Sequence, residues 1–113
     1  MVAHNITFDH RIMAIAIARV ARTWARLPQV CTMEKTRDIC CLPPTDRMIA
    51  AGRLEHKAPR LAEAYEHLFD AAMPGQAHDA LSDVRACAAI WLELQERARR
   101  PAWLQERWPA VAF

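Results

Sequence analysis

Two short segments, far apart in the chain, carry side chains suited to ligand and proton chemistry. They are Ala3-His4-Asn5-Ile6-Thr7-Phe8-Asp9 and His78-Asp79-Ala80-Leu81-Ser82-Asp83-Val84-Arg85. Carboxylate oxygens are the ligands that hard divalent cations prefer. A histidine, with an ordinary pKa of about 6.5, exchanges a proton near neutral pH. In the second segment His78 precedes a predicted helix, on a turn that holds Pro74 and Gly75, while Asp83 falls on the second turn of that helix. An adjustable base and a rigidly held ligand would thus each have a suitable support. Both acidic segments also have a structural reading, because Asp9 and Asp79 are of the type preferred at helix N-caps.

The combination is more specific than either part. Together with residues 58–69, whose Pro-Arg-Leu-Ala-Glu-Ala-Tyr run precedes the second segment, the two segments resemble the second and third motifs of the DEDDh (DnaQ-like) 3′→5′ exonucleases. That family includes the proofreading epsilon subunit of bacterial DNA polymerase III. The resemblance covers residues 2 to about 97. It implies an α/β architecture, the C-terminal portion of a ribonuclease H-like fold, mostly helical here with one or two short strands. It further implies a centre in which four acids hold two Mg²⁺ or Mn²⁺ ions and a histidine acts on the attacking water, stabilising both attacking and leaving oxygens during phosphodiester hydrolysis. On this resemblance Asp9 and Asp83 are metal ligands and His78 is the catalytic histidine. Asn5 supports the turn or meets substrate, and Lys57 and Arg60 stand near the site entrance as substrate-binding candidates.

One departure is large. The family opens with a strand bearing Asp-x-Glu, and no such pair occurs in this sequence. Two carboxylates hold one divalent ion weakly, so negligible exonuclease activity is expected of this chain by itself. The first three strands of the family fold are also missing, which is expected to leave strand edges and apolar surface open to pairing. Two functions follow as expectations. One is a fragment or N-terminally truncated form of a 3′→5′ exonuclease acting on single-stranded 3′ ends, completed by an N-terminal piece or a homo-oligomer. The other is a non-catalytic exonuclease-like module that binds nucleic acid, a polymerase or another subunit.

The elements that would position these residues can be read from apolar spacing and chain breakers. Residues 1–5 read as the end of a buried strand. A helix follows from Asp9 to about Leu27, with Ile12, Ile15, Ala16, Val20, Trp24 and Leu27 at helical spacing, and Pro28 ends it. A short strand at 29–32 and a weaker helix at 33–41 lead to the break Leu42-Pro43-Pro44-Thr45. Residues 46–51 are helical in composition up to Gly52. Pro59 sits where a first-turn proline belongs, before the stripe Leu61, Ala64, Tyr65, Leu68 and Phe69. After a turn at 73–76, the longest helix runs from 79 to 99, with Leu81, Val84, Ala88, Trp91, Leu92 and Gln95 along the side expected to be its core. Pro101 stops it. Residues 1–100 form one partial domain and 101–113 a tail in which Trp103 and Trp108 would cover apolar surface or dock a partner.

Composition sets broad limits. With 53% hydrophobic and 25% charged residues, the chain matches an ordinary globular protein. A net charge of +2 permits nucleic-acid binding without arguing for it. Arg11, Arg19, Arg22 and Arg26 read as a solvated helix face rather than a phosphate-binding patch. The apolar run 12–18 lies between Arg11 and Arg19 and falls well short of the ~20 residues of a membrane span, so it is expected to be a buried helix face. Cys31, Cys40, Cys41 and Cys87 lack the spacing of a disulfide framework or a zinc site and are expected to be free thiols in a reducing cytoplasm. His4 is expected to be structural, and Trp91 to be in the core.

Overall fold

The computed structural model describes residues 1–20, 28–76 and 78–101. It is a mixed α/β arrangement, mostly helical, with two short parallel strands. The order is β1 (Val2–Ala3), α1 (Ile6–Ala18), β2 (Val30–Cys31), α2 (Thr32–Cys40), α3 (Asp46–Ala50), α4 (Leu61–Phe69) and α5 (Ala80–Arg99). Val2 pairs with Val30 and Ala3 with Cys31. Parallel pairing requires a crossover connection, and α1 forms part of it.

Local chemistry sets the helix ends. Thr45 Oγ1 accepts the Met48 N–H at 3.2 Å and starts α3. The Glu63 carboxylate reaches back to the Arg60 N–H at 2.9 Å and starts α4, so Arg60 is the N-cap and Pro59 lies one residue outside the helix. Asp79 caps α5 by accepting the Ser82 N–H at 3.0 Å. Two helices end in the left-handed region, at Cys41 (φ 49°) and Asp70 (φ 50°). The N–H groups there return to the carbonyls of Arg37 and Glu66, satisfying acceptors that the last turn leaves open.

The core lies where α2, α4 and α5 meet. Ala64, Leu68 and Ile90 are fully buried there with Cys40, and Leu61, Tyr65, Phe69 and Leu94 pack around them. The stripe expected on α4 therefore faces inward. Tyr65 and Phe69 meet one turn apart with ring centroids 4.6 Å apart, within the range of favourable aromatic contacts.

Three sequence expectations require correction. First, α1 begins at Ile6, so Asp9 lies in its first turn and is not its N-cap; residues 21–27, including Arg22, Trp24, Arg26 and Leu27, lie outside the described residues. Second, the run 12–18 is not a buried face: Ile6 is the buried residue of α1, while Ile12, Ile15 and Val20 are 49%, 43% and 66% exposed. The helix packs on β1 and β2, which cover one flank and leave the other to solvent. Third, α5 turns Ala86 and Ile90 inward, while Leu81, Val84 and Leu92 of the expected core side are exposed. The period was right but the phase was not, because this helix carries apolar residues on two sides and only its neighbours α4, α2 and β1 select between them. Trp91 is half-buried rather than in the core.

All four cysteines are free thiols. No helix among the described residues is long and apolar enough to cross a membrane. Trp103 and Trp108 lie outside the described residues, as does the tail beyond Pro101.

Candidate functional site

The residue after β1, His4, ties the first of the two sequence segments to α2 and to the segment before α4. Its Nε2 lies 2.8 Å from the Pro59 carbonyl oxygen and its Nδ1 lies 2.9 Å from Thr32 Oγ1. A carbonyl only accepts, so Nε2 carries the proton, and in the neutral ring Nδ1 accepts from the Thr32 hydroxyl. The Thr32 oxygen in turn stands 3.7 Å from Cys87 Sγ, whose thiol can donate to it. This chain of Cys87, Thr32, His4 and Pro59 joins β1, α2, the segment before α4, and α5.

Burial sets the protonation states along the chain. It holds the His4 pKa below its ordinary value of 6.5, against the opposing pull of the Pro59 carbonyl and the Asp9 charge. Burial likewise raises the Cys87 pKa, helped by the negative potential of Asp9 and Cys31, with the Thr32 hydrogen bond acting in the other direction. His4 is therefore stabilised as a neutral ring and Cys87 as a thiol, a polar core link rather than a nucleophile and its base. His4 had been expected to be structural. Nothing in the spacing of Thr32 or Cys87 signals their part in the link.

The two acids stand on helices that both pack on β1. Asp9 is half-buried in the first turn of α1, and its charge acts on both His4 and Cys87. Asp83 is half-buried in the first turn of α5, its N–H bonded to the Asp79 carbonyl at 2.9 Å. It precedes Cys87 by one turn, so the two share a helix face, and α5 packs against β1. Asp9 and Asp83 thus belong to helices that lean on one strand.

The other candidates are placed differently. Asn5 is the N-cap of α1 by its backbone, its carbonyl accepting the Phe8 and Asp9 N–H groups at 3.0 and 3.1 Å, while its side chain makes no capping bond. His78 is exposed, one residue before the α5 N-cap, with φ of 65°. Left-handed backbone is uncommon in residues other than glycine, so His78 sits on a constrained turn. Asp79 beside it is engaged through one oxygen: the Ser82 N–H and hydroxyl both donate to its Oδ2 and hold its pKa below the ordinary 3.8. Lys57 is committed to Glu63, with Nζ 2.7 and 3.0 Å from its two carboxylate oxygens. Arg60 is exposed at the start of α4.

Among the described residues, no group of three or more His, Cys, Asp or Glu side chains is placed to hold a metal ion. Asp9 and Asp83 by themselves do not fit a two-ion centre, which needs more oxygen donors than two carboxylates provide. An open groove of about 660 Å³ lies away from this region, along the C-terminal half of α5, where Phe69, Trp91 and Leu92 meet Glu93, Glu96 and Arg99. It adjoins none of the candidate residues, so its size does not make it the site.

Comparison with protein-family models, with curated proteins and with solved structures returns no match.

Proposed function

We propose that this chain carries part of the active site of a metal-dependent 3′→5′ exonuclease of the DEDDh type, on the C-terminal portion of a ribonuclease H-like fold. It acts on single-stranded 3′ ends only when further acids are supplied from outside the described residues. The observation that supports this reading most is that Asp9 and Asp83 stand in the first turns of two different helices that both pack on β1. Asp79, by contrast, is explained completely by capping.

Asp9 and Asp83 fall short of a two-ion centre by themselves; were further acids added, they would be the residues of this chain to hold Mg²⁺ or Mn²⁺, which would supply Lewis acidity to the scissile phosphate. His78, exposed on its left-handed turn, takes the proton of the attacking water. The buried link from His4 through Thr32 to Cys87 ties the end of β1 to α2 and α5, the elements beside which the two acids stand. A second function, a non-catalytic module that binds nucleic acid or a partner subunit, is favoured by the two-acid donor set.

The deciding experiment follows a 5′-labelled single-stranded oligonucleotide with Mn²⁺, and in parallel records amide resonances of the ¹⁵N-labelled chain as Mn²⁺ is added. The chain itself is expected to leave the oligonucleotide intact, while Mn²⁺ broadens resonances around Asp9 and Asp83 together and Asp83→Asn removes both effects. Broadening at neither acid would sink the nuclease reading and leave the binding module. Metal-dependent shortening lost in both Asp83→Ala and His78→Ala would instead show that the chain completes its own site.

A further inference from the structure

The solvent-facing side of α1 is unusual for a surface. Phe8, Ile12 and Ile15 are 61%, 49% and 43% exposed, and they follow each other at steps of four and three residues with Arg19 four further on. That is the spacing of a coiled-coil seam, here turned away from the protein's own core. Ala16 flanks the seam and leaves room for close approach. Arg19 keeps helical backbone as the C-cap of α1, so it continues the same stripe.

We propose that this face is an interface between two copies of this chain, with the two α1 helices packed antiparallel about a two-fold axis. The stripe is self-complementary in that direction only. Antiparallel packing in heptad register sets Ile12 against the second copy's Ile15, twice by symmetry, and lays each Arg19 guanidinium on the other copy's Phe8 ring, a cation–π contact. Parallel packing would set Arg19 against Arg19. It would also align the helix dipoles in the same sense, whereas the antiparallel pair opposes them. Asp9 lies on the flank whose charge reaches His4 and Cys87, so the interface leaves it out and stands independently of the metal-site reading.

The seam from Phe8 to Arg19 is about 17 Å long. A standard interface buries about 800 Å² on each partner, and a seam this short falls below that size. The association is therefore weak and concentration-dependent, on the order of micromolar.

Sedimentation equilibrium on the full chain, from a few to several hundred micromolar, tests the proposal with far-UV circular dichroism as a folding control. A monomer–dimer equilibrium is expected, and Ile15→Glu is expected to weaken it at least tenfold without loss of helix, since Ile15 is not part of the core. Arg19→Glu, a milder surface change, is expected to weaken it severalfold and serves as the second variant should Ile15→Glu misfold. A monomer at every concentration overturns the proposal. So does association that both variants leave unchanged, which would place the contact on the α5 groove or the tail, and so does capture of the face by an unrelated apolar helix in preference to a second copy.

Discussion

His4 and Thr32, twenty-eight positions apart, are joined by a 2.9 Å hydrogen bond between Nδ1 and Oγ1 that couples the end of β1 to the first residue of α2. The bond does more than hold two elements together. With the His4 ring neutral, the Thr32 hydroxyl donates to it and accepts from Cys87. With the ring charged, Nδ1 must donate, and the hydroxyl is turned toward the Ala3 carbonyl 3.4 Å away. One proton on His4 thus reverses a buried link that reaches α5.

That reversal gives a pH dependence of known sign. Burial puts the folded-state pKa of His4 below the ordinary 6.5, so the unfolded chain takes up the proton first as pH falls. The His4 contribution is complete above 6.5, declines as pH drops from there to the folded-state value, and then levels. Urea unfolding of the native chain between pH 7.5 and 5 is expected to show this decline. In His4→Asn the slope over the same window should flatten, whatever the variant loses in absolute stability. An unchanged slope would mean that His4 is not the group responsible.

Lys57 offers a test between structure and substrate contact. Its ammonium bridges both oxygens of Glu63, with side chains 25% and 34% exposed. Partial burial pushes the Glu63 pKa upward, but the Lys57 hydrogen bond, the Arg60 N–H and the charges of both outweigh it and leave the pKa below the ordinary 4.5. Lys57→Met is expected to cost about 1 kcal/mol at pH 7. The cost should shrink as pH falls below 4.5, because the carboxylate that the lysine stabilises is then protonated. A loss of oligonucleotide binding with stability unchanged would assign Lys57 to substrate instead.

The turn before α5 is held by a close approach as well as by its backbone. Gly75 has φ of 84°, and a Cβ there would collide with the Ser82 Oγ and Cβ on the first turn of α5. Gly52 has a similar φ of 75° but open space around it. Gly52→Ala is therefore expected to lose about 1 kcal/mol from backbone conformation. Gly75→Ala should lose about 2 kcal/mol or more, since the steric cost adds to the same backbone term. Equal midpoint shifts in urea for the two variants would mean that the turn moves freely away from α5. In that case the placement of His78 would not depend on the contact.

What the sequence determined by itself is local. The stripe on α4 was legible because Ala64 and Leu68 recur at helical spacing with Leu61, Tyr65 and Phe69 around them, and this helix has one apolar side to bury. The break at Pro43 and Pro44 and the cap at Asp79 were legible for the same reason, since each depends on residues within one turn. Only the tertiary structure decided which side of α1 and α5 faces inward. Both helices carry apolar residues around much of their circumference, and spacing states a period without naming the neighbour that supplies a phase. It also decided that His4 reaches Thr32 and Pro59, and that the helices bearing Asp9 and Asp83 both pack on one strand. Those relationships depend on how separate segments stack, which no window of adjacent residues contains.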